Sequence, residues 1–299
     1  MATGNFVANQ PNSPLRDRTV VVTGAARGIG AALAREVAGR GARVALLGPE
    51  RRGLEAVAAS LPTASVCVAV DVTDVAALER AAGEVRELLG PPSAVVANAG
   101  IAQGGPFGQS DPAAWRRVID VNLTGSAFTA HAFLPDLVAG SGYFLQVASL
   151  ASIGAVPMMS AYCASKAGVE AFAHALRAEV AHQGVAVGIA YLNWTDTDMI
   201  RDADRRPVMR ELRGHMPPPL RRVLPVEPVA ARLARAVERR RTAVYVPSWL
   251  RLAQTARGAL PPVVLRVARH ELPRVEERGA LRPTGRLGAG GRADGEGRR

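Results

Sequence analysis

Short apolar, β-branched runs alternate with helix-length stretches along most of the chain. Residues 19–22 form the first run. Residues 28–41 follow, with Ile29, Leu33 and Val37 at helical spacing and Gly41 as a stop. A second run at 43–47 precedes a helix predicted over 50–60, with Leu54, Val57 and Leu61 on one side. The third run, 65–70, ends at Asp71, and Asp74 can cap the next helix, which reaches Leu89 before Gly90-Pro91-Pro92. A fourth strand is predicted at 94–97.

The alternation continues with helices over 112–117 and 118–139, a strand at 142–148, and a long helix over 160–183 closed by Gly184. A sixth strand at 185–191, a helix at 227–240 and a seventh strand at 243–246 complete it, while 201–225 shows no clear period. Runs that are almost continuously apolar belong to strands buried on both faces, and their alternation with helices implies βαβ units. The fold predicted is α/β: a doubly wound, seven-stranded parallel sheet with helices on both faces. Ligands of such sheets bind beyond the carboxyl ends of the strands, at the switch point.

The ends of the chain read differently. Residues 1–18 are polar and predicted to be a flexible leader without the apolar stretch of a signal peptide. Residues 247–278 form an amphipathic extension in which Pro261-Pro262 are expected to break a helix, and the Gly/Arg-rich residues 279–299 are expected to be disordered.

Composition adds three points. At 299 residues and 48% hydrophobic, the chain can build one large α/β domain, 19–246, with extensions. The net charge of +11 gathers late in the chain and fits a solvated arginine-rich surface; with few aromatics and no recognition motif, no nucleic acid partner is expected. Cys67 and Cys163 have neither metal-ligand nor disulfide spacing, so no metal is expected, and the pattern fits a reducing, cytoplasmic setting. Cys67 is expected to be a buried strand residue and Cys163 a packing residue. Residues 249–269 leave open a peripheral contact with an anionic membrane surface.

The first strand-to-helix turn reads Thr23-Gly24-Ala25-Ala26-Arg27-Gly28-Ile29-Gly30. Glycines there allow a tight turn and close approach of a pyrophosphate, and the helix start offers free N–H groups to the anion. The spacing is neither G-x-G-x-x-G nor a Walker loop.

That turn, Asn98-Ala99-Gly100 after the fourth strand, Asn122 in Val-Asn-Leu-Thr-Gly, Ser149 after the fifth strand, and Tyr162-Cys-Ala-Ser-Lys166 together resemble the short-chain dehydrogenase/reductase family over about residues 17–246. Residues 46–50, 180–187 and 193–202 also resemble an uncharacterised actinobacterial branch. The resemblance implies a Rossmann-type fold, an NAD(P) cofactor, a carbonyl/alcohol interconversion by hydride transfer, and a homo-oligomer built through the helices around 118–139 and 160–183. It implies that Tyr162 is the general acid/base, that Ser149 hydrogen-bonds the same substrate oxygen, and that Lys166 lowers the Tyr162 pKa and contacts the nicotinamide ribose. Asn122 would hold a water linking Lys166 to solvent. Thr23, Gly24, Gly28, Ile29 and Gly30 would bind the pyrophosphate, and Arg27 could meet a 2′-phosphate. Asp71 and Val72 would meet the adenine, Asn98, Ala99 and Gly100 the adenosine ribose, and Thr197 the carboxamide.

Two departures matter. Strand two ends at Gly48, followed by Pro49 and Glu50, where an NAD-preferring member has an acid and an NADP-preferring one an arginine. Arg27 favours NADP and Glu50 favours NAD, with a slight lean to NADP. The family's Pro-Gly turn after strand six is replaced by Asn193-Trp194, so Trp194 either walls the nicotinamide pocket or packs beneath the loop. Met199, Ile200, Met209, Leu212, Met216 and Leu220 suggest an apolar lid and a lipophilic substrate. A catalytically silent dinucleotide-binding sensor or scaffold is the alternative reading, against which the intact Ser149, Tyr162, Lys166 and Asn122 set argues.

Overall fold

A computed structural model of the chain describes residues 13–278 and 282–296. Its strands are β1 (Thr19–Thr23), β2 (Arg43–Gly48), β3 (Ser65–Ala69), β4 (Pro92–Ala97), β5 (Ala102–Gly104), β6 (Tyr143–Val147), β7 (Ala186–Leu192), β8 (Ala243–Val246) and β9 (Gly285–Leu287). The helices are α1 (Gly28–Ala38), α2 (Arg51–Ala58), α3 (Val75–Leu89), α4 (Pro112–Ile119), α5 (Gly125–Ala139), α6 (Leu150–Ile153) and α7 (Ser160–Val180) in the first two thirds. They continue as α8 (Asp198–Arg205), α9 (Pro207–Gly214), α10 (Pro218–Arg221), α11 (Val226–Glu238), α12 (Leu250–Thr255), α13 (Leu260–Glu277) and α14 (Gly288–Glu296).

Seven strands form one sheet in the order β3-β2-β1-β4-β6-β7-β8, every pair parallel. All five residues of β1 are buried, as a strand covered on both faces requires. Val20 and Val22 pack toward Leu33 and Val37 of α1 and Leu233 of α11, whereas Val21 packs toward Leu78 of α3, Phe133 of α5 and Val169 of α7. Asp74 caps α3, accepting from the Ala77 N–H at 2.9 Å. The fold is thus the doubly wound sheet read from the pattern.

The order reverses between β1 and β4, and that junction is stitched by side chains. Thr23 Oγ1 accepts from the backbone N–H groups of Asn98 (3.0 Å) and Ala99 (3.1 Å). In return Asn98 Nδ2 donates to the carbonyls of Thr23 (3.0 Å) and Gly24 (3.3 Å). The crevice above this junction is where the two strands part.

Several expectations are corrected. The helix expected over 118–139 is divided: a widened π turn at Asp120–Thr124 separates α4 from α5 and reorients Asn122. Residues 198–221 hold α8, α9 and α10, where the sequence shows no clear period. Pro261 and Pro262 start α13 instead of breaking a helix, because a first-turn proline needs no N–H partner. The leader is tied down from residue 13, where Ser13 Oγ donates to Glu238 and Leu15 is buried; its first twelve residues lie outside the described ones. Residues 282–296 carry β9 and α14. There β9 pairs antiparallel with β5, and Thr284 Oγ1 accepts from the Gly104 N–H at 2.9 Å, so backbone pairing supplies what the composition lacked; 279–281 and 297–299 are outside the described residues. Cys67, on edge strand β3, is half-buried rather than buried.

The Thr23 hydroxyl holds the switch point closed, which makes its removal measurable. Thr23→Val keeps the shape but leaves two N–H groups without their acceptor, each costing about 1–3 kcal/mol. The expected loss is about 2–5 kcal/mol in urea denaturation, with Thr23→Ser close to wild type.

Candidate active site

The β1–α1 turn is built for close approach. Gly24 and Gly28 have φ of 64° and 53°. A Cβ on Gly30 would stand 2.2 Å from the Gly24 carbonyl oxygen and 2.7 Å from Asn98 Nδ2. These contacts bring the start of α1, with its unpaired N–H groups, onto a cleft of about 270 Å³. Gly24, Arg27, Gly28, Ile29, Asp71, Val72, Asn98, Ala99, Gly100, Ser149, Tyr162, Lys166 and Thr197 all line it. Thr23, Gly30 and Asn122 stand behind the wall: Thr23 and Asn122 through buried hydrogen bonds, Gly30 through its contact with Gly24. The cradle fits an extended diphosphate-bearing ligand.

Arg27 and Glu50 form an ion pair beside the glycine turn. Arg27 Nη1 is buried and has no hydrogen-bond partner among the described residues. One nitrogen of Arg27 is therefore unpaired while the Glu50 carboxylate is already engaged.

At the far end, Asp71 Oδ1 accepts from the N–H of Thr73 (3.0 Å) and Oδ2 from Arg117 Nη2 (2.6 Å). Burial pushes the Asp71 carboxyl up, but the bonds from Thr73 and Arg117 outweigh it and hold the group below its ordinary value. Arg117 is itself buried and also bonds Asp294 and Thr73. Neither Arg117 nor Asp294 was expected here. Their partners lie 46 and 177 residues away in sequence, and no local spacing announces such pairs.

Ser149, Tyr162 and Lys166 converge at the opposite end. Ser149 caps α6, accepting from the Ala151 N–H at 3.2 Å. Tyr162 and Lys166 share one face of α7, with Lys166 Nζ 5.7 Å from the centre of the Tyr162 ring. Burial pushes the Tyr162 phenol up to about 12, with the Ser149 hydroxyl pulling the other way. Lys166 Nζ faces the ring and donates to the Val147 carbonyl at 3.1 Å. Desolvation lowers the Lys166 amine to about 8.

The Asn122 side chain is fully buried. Its Nδ2 donates to Ile101 O (3.0 Å) and Ser165 Oγ (2.9 Å), and its Oδ1 accepts from the Ile101 N–H (2.8 Å). It clamps the chain after β4 to α7, the helix that carries Tyr162 and Lys166.

The remaining wall is apolar. Val156, Met159, Met199, Ile200, Ala203, Met209 and Leu287 line it together with Trp194, which therefore walls the pocket. The Trp194 indole N–H is buried without a partner among the described residues, and the Arg213 guanidinium stands 5.8 Å from its ring. Of the expected lid residues, Leu220 packs on the core instead, and the Leu212 side chain lies outside what is described. Cys163 Sγ accepts from the Val156 N–H at 3.3 Å and burial raises its thiol pKa, which suits packing rather than reactivity.

The chain is similar to known proteins. The chain is 41% identical over 193 residues to cis-4-hydroxycyclohexanecarboxylate dehydrogenase of Sinomonas cyclohexanicum, covering 62% of this chain and 76% of that protein. It is 33% identical over 202 residues to acetoacetyl-CoA reductase of Synechocystis sp., covering 66% and 81%. A metagenomic short-chain oxidoreductase solved in complex with NADP superposes with a TM-score of 0.56 at 34% identity, covering 59% of this chain and 82% of that one. The family described as short chain dehydrogenase matches residues 18–207, so the chain belongs to that family and is an oxidoreductase acting on CH–OH groups.

Proposed function

We propose that this protein interconverts a secondary alcohol and its ketone at Tyr162, with a nicotinamide dinucleotide lying along the cleft from Asp71 to Thr197. The observation that carries the reading is the single cleft that joins the glycine turn to Ser149, Tyr162 and Lys166. A bound nicotinamide supplies the hydride donor or acceptor. The chain's own groups handle the proton. Tyr162 Oη gives it to the carbonyl oxygen on reduction and takes it from the hydroxyl on oxidation, and Ser149 Oγ orients that oxygen. Lys166 holds the cofactor ribose and, while charged, favours the phenolate. Asn122 acts as a positioning residue through Ile101 and Ser165.

NADP is the preferred cofactor in this reading. The unpartnered Arg27 Nη1 suits a 2′-phosphate oxygen, and Glu50, held by Arg27, is turned from the role of ribose acceptor. The apolar wall around Trp194 and Met209 suits a lipophilic substrate, and a cyclic secondary alcohol resembling that in the name of the Sinomonas relative is the first class to try. A homo-oligomer is supported by the exposed alanines of α7, among them Ala164, Ala167, Ala171 and Ala175. A second reading, contact of residues 249–269 with an anionic bilayer surface, rests on exposed Leu252, Val263, Leu265 and Val267 beside Arg251, Arg266 and Arg269; no helix among the described residues is long and apolar enough to cross a membrane. A cytoplasmic setting accords with two free cysteines.

Three outcomes check this function. Tyr162→Phe is expected to lower turnover of a cyclic alcohol by about 10²–10⁴-fold while leaving dinucleotide binding intact, as read by steady-state kinetics and fluorescence titration. Because oxidation needs the phenolate of a group pushed up to about 12, kcat/KM for oxidation should rise from about pH 6.5 to about 8 and gain less above it, where Lys166, lowered to about 8, loses the charge that favours the phenolate. Reduction uses the protonated phenol, abundant throughout that window, and should show no such gain. Arg27→Ala should weaken NADPH by about tenfold or more and NADH far less, whereas Glu50→Gln should tighten NADPH. Equal loss for both dinucleotides would remove Arg27 from the 2′-phosphate site.

A further inference from the structure

We propose that residues 284–294 are part of the cofactor site: a strap that crosses the dinucleotide cleft and must unlatch for the cofactor to exchange. The inference rests on the dinucleotide reading above and adds an element that neither the glycine turn nor the Ser149, Tyr162, Lys166 group supplies.

The strap is anchored on both banks. Its strand β9 pairs with β5, placing Leu287 opposite Ala102, just beyond the Asn98-Ala99-Gly100 edge. On the nicotinamide bank, the Gly288 N–H donates to Asp202 Oδ2 at 2.9 Å. There Gly288, at φ 76°, lies so close to Met199 that a Cβ would meet its Cα at 2.7 Å. Met199 follows Thr197 by two residues. On the adenine bank, Asp294 pairs with Arg117 at 2.5 Å, and the same Arg117 nitrogen bonds Asp71 at 2.6 Å. Between the anchors, Gly288, Ala289, Gly290 and Gly291 line the same cleft as the glycine turn. These residues are the first turn of α14, three of the four being glycine, so little side chain enters the cleft.

The latch is ionic and the hinge side is hydrogen-bonded. Arg117 has Asp71 and Thr73 as further partners, so losing Asp294 does not strand its charge. The Asp294 bond can therefore break and re-form while the floor of the site stays intact. A ligand lying beneath residues 288–291 leaves only when that bond opens, which makes exchange a gated step.

The test is stopped-flow fluorescence of NADPH binding and release with the full chain, wild type against Asp294→Asn, together with hydrogen exchange of the 284–294 amides with and without NADPH. The expected result is an association rate that levels off with NADPH concentration in wild type. Asp294→Asn should raise that ceiling and the release rate by about tenfold, with a smaller change in equilibrium affinity. Amides 285–294 of wild type should gain protection when NADPH is added. Rates within about twofold of wild type, together with strap exchange indifferent to NADPH, overturn the strap while leaving the dinucleotide site standing. Should neither protein bind NADPH or NADH, the dinucleotide reading itself fails, and the strap with it.

Discussion

Everything at the active end of this molecule depends on two backbones passing at contact distance. Where β1 turns into α1, the Gly24 carbonyl, Gly30 and the Asn98 amide occupy a space that admits no additional carbon. That packing lets the helix start point into the crevice, and it positions β4 beside β1 just before the two diverge. Thr23 and Asn98 then convert a steric coincidence into a fixed junction by satisfying each other's backbone groups. Ser149 and Tyr162 are placed relative to that junction, one at the end of β6 next to β4, the other on α7 clamped to Ile101 through Asn122 and Ser165.

The charges around the cleft follow a rule of local neutralisation. Arg27 meets Glu50, Arg117 meets Asp71 and Asp294, and Arg213 meets Asp204. Although the chain carries a net +11, these cations are answered where they stand. Lys166 differs: its buried amine has a carbonyl and an aromatic ring as neighbours and no acidic partner among the described residues. Desolvation without compensation is why its pKa falls, and why its proton is the most easily shared in the site.

Much of this was legible in the order of residues. The sheet strands are continuous apolar runs because both faces are covered, and that pattern survives without knowledge of the partners. The glycine turn, Asn98, Ser149, Tyr162 and Lys166 were legible because each sits in a short motif. What was not legible depends on distance or on local competition. The π turn at 120–124 looks like uninterrupted helix until Asn122 is seen turned inward to bond Ile101. The raised phenol of Tyr162 reflects burial by parts of the chain that no i to i+4 spacing reveals. The Gly/Arg-rich tail reads as disordered because it has few side chains to bury. Its order comes from backbone pairing with β5 and from ion pairs to Arg117 and Arg286.

That tail also fixes an order of assembly. Synthesis runs from the amino end, so the floor of the cleft, from Thr23 to Thr197, is complete while residues 284–294 are still to be made. A nascent chain can thus present an open groove on the ribosome. In the finished chain residues 288–291 line that groove and Asp294 is paired with Arg117, so the last residues to be made are the ones that narrow it.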